Sequence, residues 1–205
     1  MALAQELERV GPGIFIWQVY DPAVKAELFS TALTTDSGAY LVDPIPLAAD
    51  ALAALRTRVE TIGIFVTNAN HGRAAAEFAR DFSVPTYAHH SLHETTEFAE
   101  AVAVNEGQTL VGGLTVIAID GGAAGEMALH CLLNGGTMVM GDALINFEPH
   151  GFGLLPSKYC LDPKLMRRSL RKLLDYSFAR IFFAHGIPVL SGARAKVEQL
   201  LASDQ

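Results

Sequence analysis

The apolar residues of this chain come in short β-rich runs, each halted after a few residues by Gly, Pro, Asn or Asp. That punctuation demands sheets whose strands end in many loops. Residues 14–20 (IFIWQVY), 27–34 (ELFSTALT) and 39–42 (AYLV) are bounded by Gly11-Pro12-Gly13, Asp21-Pro22 and Asp36-Ser37-Gly38, which predicts an opening antiparallel meander. Helical spacing of Leu47, Ala51, Leu55 and Val59 predicts a helix over 46–60, with Pro46 near its start. Residues 62–67 then read as a buried strand, 68–73 as a polar loop and 74–82 as a helix with Phe78 and Phe82 on one face. Short strands follow at 85–88, 102–104, 108–111, 114–119, 127–133 and 137–140, several separated by glycine pairs. Asp162 and Pro163 cap a helix to about 177, and a last strand (181–184) and helix (191–202) close the chain. Two mixed sheets face to face, flanked by helices, would cover every apolar face of this pattern.

Composition narrows the function classes. Half of the 205 residues are apolar and only 18% are charged, which excludes disorder and calls for a large interior, read as a single domain over 1–205. No apolar stretch reaches the roughly 18 residues of a membrane span, and the first residues carry acidic groups rather than an apolar signal core, so a cytoplasmic location is expected. With 15 Lys+Arg against 22 Asp+Glu the net charge is -7, the wrong sign for a nucleic-acid partner. The two cysteines, Cys131 and Cys160, lack a paired metal-binding spacing and read as reduced thiols. No GxSxG elbow, P-loop or dinucleotide-binding glycine pattern is present.

Polar groups gather at the ends of apolar strands: Asn68-Ala69-Asn70-His71-Gly72-Arg73, Asp120-Gly121-Gly122, Gly141-Asp142 and His185-Gly186. Loops at one edge of a sandwich would form a single cleft. In their order these segments resemble the metallo-β-lactamase superfamily. AYLVDP is similar to that family's early strand ending in Asp, here Asp43, and VTNANHGRAAA falls where the family carries Thr-His-x-His-x-Asp-His. DGGAAGEMAL resembles its Pro-Gly-His-Ser-Pro-Gly-Glu segment, MVMGDAL its Gly-Asp segment, and FFAHGIPV its final Gly-His-Gly-x-Pro loop. The resemblance implies a four-layer αββα sandwich, and in full members a pair of zinc ions that activate a water for hydrolysis.

Carried over residue by residue, the metal set is broken. Asn68, Asn70, Gly72, Arg73 and Gly122 stand at five of the seven ligand positions, and only Asp142 and His185 remain. A neutral amide is a poor zinc ligand and a guanidinium repels the ion. The reading is therefore a degenerate centre with no cofactor, in a non-hydrolytic protein that binds a small molecule in the old cleft or serves as an interaction protein, and that could be a homo-oligomer. Arg73 is expected to neutralise Asp142 by direct contact, with Asn68, Asn70, His71, Gly72, Arg73, Gly122 and His150 lining the cleft. The alternative is an ester or thioester hydrolase. It would use one zinc or other divalent ion on Asp142, His185 and His71, or Asp142 and His185 as a metal-free acid–base pair.

Other groups have plainer readings. Asn68 and Asn70 can bond the turn backbone, and His71 can be a loop histidine facing solvent. His89, His90 and His93 mark a surface loop leading into a helix, and His130 a satisfied strand histidine. The basic residues Lys164, Arg167, Arg168, Arg171 and Lys172 form either a solvated helix face or a docking face for an anionic partner.

Overall fold

A computed structural model describes residues 2–148 and 151–203; His150 lies outside them. The chain opens with β1 (Glu8–Gly11), β2 (Ile14–Asp21), β3 (Ala26–Thr35) and β4 (Gly38–Val42), all antiparallel neighbours, as the meander pattern predicts. Helix α1 (Ala49–Arg58) leads to β5 (Thr61–Val66), and α2 (Ala75–Phe82) to β6 (Thr86–His89) and β7 (Val102–Val104); β5, β6 and β7 add in parallel. The second sheet contains β8 (Thr109–Leu110), β9 (Leu114–Ala118), β10 (Met127–Cys131) and β11 (Thr137–Met140). The strands β12 (Leu144–Phe147) and β13 (Gly151–Leu154) pair as a two-stranded sheet of their own, joined to residue Gly186 through Asn146. Helix α3 (Pro163–Ser169) precedes β14 (Arg180–Phe183), which pairs in parallel with β11, and α4 (Ala193–Ala202) ends the fold.

Alternation along the strands sorts the core into three layers. Ile14, Ile16, Phe29, Phe65, Val116, Leu129, Val139 and Phe182 pack between the sheets. Trp17, Leu41, Leu55, Ile64 and Phe78 fill the space under α1 and α2, while Met138, Met140, Met166, Phe183, Val197 and Leu201 do so under α3 and α4. This is the αββα arrangement. Among the described residues no helix is long and apolar enough to cross a membrane.

Three sequence expectations change. The helix predicted from Pro46 begins at Ala49, because the Pro46 carbonyl accepts from Ala4 N (2.9 Å) and Ala48 N donates back to the Ala4 carbonyl (2.8 Å). The loop after Asp142 contains β12 and β13; Leu144 and Ile145 are buried, and their short apolar stretch is masked in sequence by the glycines that follow. The basic face of α3 and the following turn is largely committed. Arg167 Nη2 donates to the Leu200 and Leu201 carbonyls (3.1 and 3.0 Å) and Arg171 Nη2 to Leu201 (3.3 Å), capping the C-terminal end of α4. Lys172 pairs with Glu106 and Asp120 at 3.3 and 3.4 Å.

His130 is buried with Nε2 2.9 Å from the Ser177 carbonyl. His89 Nδ1 lies 2.8 Å from Ser91 Oγ at the start of a 3-10 turn, His90–Leu92.

Candidate functional site

Parallel pairing of β4 with β5 and of β11 with β14 sends all four C-terminal ends to one edge. The groups just beyond them meet there. Asp43 follows β4, Thr67 and Asn68 follow β5, Asp142 follows β11 and His185 follows β14, while Glu126 immediately precedes the antiparallel β10. Met127 N donates to the Thr67 carbonyl and Phe29 N to the Ala184 carbonyl, both at 2.9 Å, so the two sheets are tied together at this edge.

His71 is the hub. Its Nδ1 lies 2.9 Å from Asp43 Oδ2 and its Nε2 3.1 Å from Asp142 Oδ1, with both side chains of each pair nearly out of solvent. Burial works against a charge on the ring, yet Asp142, with Asp43 behind it, raises its pKa to about 9 against the opposition of Arg73. Burial likewise disfavours ionised Asp43 and Asp142. His71 outweighs it at both, aided by His185 and Arg73 at Asp142, and holds both carboxyls below the ordinary range. His71 at neutral pH is thus an imidazolium wedged between two carboxylates. The solvent-facing loop position is wrong: the ring is turned inward because Asp43, itself fixed by Thr67 N (2.8 Å) and Thr67 Oγ1 (2.6 Å), captures Nδ1.

The expected contact of Arg73 with Asp142 does not form. Arg73 Nη1 donates to the Phe29 carbonyl (2.8 Å) and the Asp43 carbonyl (3.2 Å), and Nη2 lies 3.5 Å from His185 Nε2. Two fixed carbonyls claim the guanidinium, and His71 already occupies the ground beside Asp142. Asp43 and Arg73 hold φ of +49° and +39°, left-handed values that cost residues with a side chain roughly 1–3 kcal/mol.

Behind Asp142 lies a second, closed group. Asn68 Nδ2 donates to Asp142 Oδ2 (3.2 Å) and Glu126 Oε2 (2.9 Å), and Ala143 N donates to Glu126 Oε1 (3.0 Å). Burial, and then the charge of Asp142, push the Glu126 carboxyl up to about 8. A Cβ at Gly141 would stand 2.5 Å from Glu126 Oε1 and 2.8 Å from Thr67 Oγ1, so only glycine admits this packing. Sequence reasoning missed Glu126; an acidic residue leading directly into the all-apolar strand 127–129 is the signal that could have found it.

The cleft above this floor has a volume of about 750 Å³. Asp21, Lys25, Asn70, His71, Arg73, Asp142 and His185 supply its polar lining, and Val24, Leu28, Ile145, Phe147, Leu155, Pro156 and Tyr159 its apolar lining. Three residues expected along it are elsewhere. Asn68 is buried beneath the floor, and Gly72 is backed by Glu97 and Phe98. Gly122 is backed by Glu126, whose Cγ would be 2.7 Å from a Cβ there. They hold backbone positions at strand ends, but the chain turns their side-chain directions away from the opening. His185 sits at the rim with 17% of its side chain exposed. Its Nδ1 bonds the Glu27 carbonyl (3.0 Å), and burial, with the charges of His71 and Arg73, lowers its pKa to about 4 despite Asp142.

The family's paired ions do not fit this donor set, because Asn68 and Glu126 fill the ground on the Oδ2 side of Asp142. A single ion fits on the other side. Asp142 Oδ1 is buried with two imidazole nitrogens near it, Nε2 of His71 at 3.1 Å and Nε2 of His185 at 3.4 Å. One ligand atom each from His71, Asp142 and His185 lies within 4.8 Å of the others.

Residues 5–203 match the model of the family described as the metallo-beta-lactamase superfamily. The crystal structure of DIM-1 metallo-beta-lactamase superposes with a TM-score of 0.72 at 18% identity, covering 98% of each chain. A metallo-beta-lactamase from Pontibacter korlensis gives 0.74 at 15% identity, over 98% of this chain and 99% of that one. TTHA1623, solved in a di-iron-bound form, gives 0.62 at 22% identity, over 88% and 97%. At such identities the likeness is one of fold. No curated protein matches the sequence.

Proposed function

We propose that this chain, which belongs to the metallo-β-lactamase superfamily, is a small-molecule-binding protein that uses the strand-end cleft without hydrolysing its ligand. The observation that carries this reading is the buried His71 ring set between Asp43 and Asp142, one nitrogen 2.9 Å and the other 3.1 Å from a carboxylate oxygen, which makes it a protein cation among the carboxylates. Its charge and that of Arg73 balance the two aspartates, so the floor is neutral without ions. The ligand suited to this cleft has an apolar body against Ile145, Phe147 and Leu155 and an acceptor-rich or anionic head toward Lys25, Asn70 and Arg73.

Metal-free hydrolysis is the weaker reading. Asp142 is held too acidic to donate a proton near neutrality, and His185, at about 4, is a feeble base. Among the described residues lining the cleft there is no Ser, Thr or Cys to act as nucleophile.

Thermal unfolding measured against a panel of metabolite-sized organic anions and neutral analogues tests the proposal. Anions with an apolar body should raise Tm, and Lys25→Ala should reduce the effect. Turnover of β-lactam, ester or thioester substrates by the chelator-treated protein, lost in His185→Asn, would overturn it.

A further inference from the structure

We propose that the 3-10 turn Ser157–Tyr159 and the outward side of α3 form a docking surface that lays this chain against a lipid bilayer carrying anionic headgroups, with the cleft mouth at its border. The inference rests on the ligand-binding reading only for what it says of the ligand. The surface itself can be tested without it.

A solvated helix carries polar residues outward, and this segment carries large apolar ones as well. Leu161, Lys164, Leu165 and Arg168 follow one another at i, i+3, i+4 and i+7, and all four are exposed, Leu161 to 75% and Leu165 to 36%. One turn earlier Tyr159 is 60% exposed, with Nζ of Lys158 4.7 Å from its ring centre. The inward side of the segment is already filled by the buried Met166 and Leu170, so the outward leucines add nothing to the core. They stand on a rigid support. Leu161 N donates to the Gly122 carbonyl (3.1 Å), and a Cβ at Gly121 would lie 2.9 Å from Leu165 Cβ. Contiguous exposed apolar groups on a fixed backbone mark a surface that something covers.

Charge says what covers it. Arg167 and Arg171 are spent on the carbonyls of α4 and Lys172 on two acids, but Lys164 and Arg168 make no ion pair among the described residues. The one acid between residues 157 and 169 is Asp162, whose Oδ1 accepts from Leu165 N (2.9 Å). Three exposed cations around two leucines and a tyrosine match anionic headgroups above acyl chains. The net charge of -7 acts weakly there, because a bilayer senses only charges within about 8–10 Å at ordinary salt. Continuity with the cleft favours a lipid over an acidic protein segment. Tyr159 lines the cleft and also stands in the exposed patch. A ligand with an apolar body and an anionic head is a bilayer constituent in its chemistry, and it passes Tyr159 into the cleft without exposing its body to water.

The test sediments the full chain with extruded vesicles of phosphatidylcholine alone and of phosphatidylcholine with about 30% phosphatidylglycerol. Binding to the mixed vesicles is expected, about tenfold or more above that to phosphatidylcholine alone, and it should weaken as salt is raised. Lys158→Gln, Lys164→Gln and Arg168→Gln should each weaken it about fivefold, and Leu161→Ser about tenfold. Leu132→Ser, an exposed leucine beyond the opposite end of β10, should leave it unchanged. All five side chains are exposed, so the variants keep the fold, which an unchanged Tm verifies. No binding to the mixed vesicles, equal binding to both kinds, or binding indifferent to Leu161→Ser overturns the proposal. Capture of an acidic amphipathic peptide of Leu and Glu in place of the vesicles also overturns it and makes the surface a protein interface. Organic anions that raise Tm while vesicles fail leave the ligand reading standing. Vesicles that bind while anions fail support the surface and remove that reading.

Discussion

Asp142 has two oxygens in two different environments, and they separate the floor into a closed side and an open side. Oδ2 faces Asn68 and Glu126, where a side-chain amide, a raised carboxyl and a backbone N–H satisfy one another in the dark. Oδ1 faces His71 and His185 at the floor of the cleft, where an imidazolium balances the carboxylate. The contrast teaches that one buried carboxylate can be answered in two ways. A neutral amide supplies a hydrogen bond, whereas a protonated side chain supplies the opposite charge.

The largest effect should come from the open side. His71→Ala leaves Asp43 and Asp142 buried without their shared partner, and should cost about 4 kcal/mol in urea denaturation at pH 7. A loss below about 1 kcal/mol would mean that Arg73 alone neutralises them, and the distinction between the two sides would collapse.

Next in size is the pH dependence. The folded pKa of His71, about 9, lies above its ordinary 6.5. Its contribution is present in full below pH 6.5 and is lost as pH rises through 9, roughly 3 kcal/mol in all. Glu126, raised from 4.5 to about 8, acts in the same direction: stability present below 4.5 is lost as pH rises through 8. His185, lowered from 6.5 to about 4, forms the acid limb, with stability present above 6.5 and lost as pH falls through 4. Denaturation midpoints between pH 6.5 and 9 should therefore fall steadily, and less steeply in His71→Ala. A flat profile would remove His71 as the cation.

On the closed side Asn68→Ala should cost about 2 kcal/mol, since it strips the donor from Glu126 Oε2 and Asp142 Oδ2 and the acceptor from Asn70 N. A cost equal to that of His71→Ala would show the two sides to be one network. The smallest stability change is expected for His185→Ala, about 1 kcal/mol or less, because His71 still faces Oδ1 and the ring is partly solvated. Calorimetric Tm values for the two variants side by side make the measurement.

The elements were legible because their patterns are local. Residues 14–20 alternate, 47–59 repeat at helical spacing, and Asp162-Pro163 announces α3. The hairpin of β12 and β13 was hidden because its strands are short and glycine-rich. In the site, Gly141-Asp142 and His185-Gly186 marked strand ends and hence a cleft. Glu126 read as the entry to one strand, Asp43 as the end of another, and His71 as a loop residue, since no one-dimensional pattern tells whether a loop side chain turns inward.

The sequence by itself determined the layered αββα class and the strand-end positions of Asp142 and His185, because periodicity, turn residues and residue chemistry are properties of neighbours along the chain. Only the tertiary structure decided which cation stands beside Asp142. Arg73 and His71 are two residues apart in one loop. The choice fell to the Phe29 and Asp43 carbonyls, which hold the guanidinium aside, and to the Asp43 carboxylate, which turns the imidazole in. A buried charge goes where fixed dipoles from distant strands already point, and those dipoles exist only once the sheets have packed.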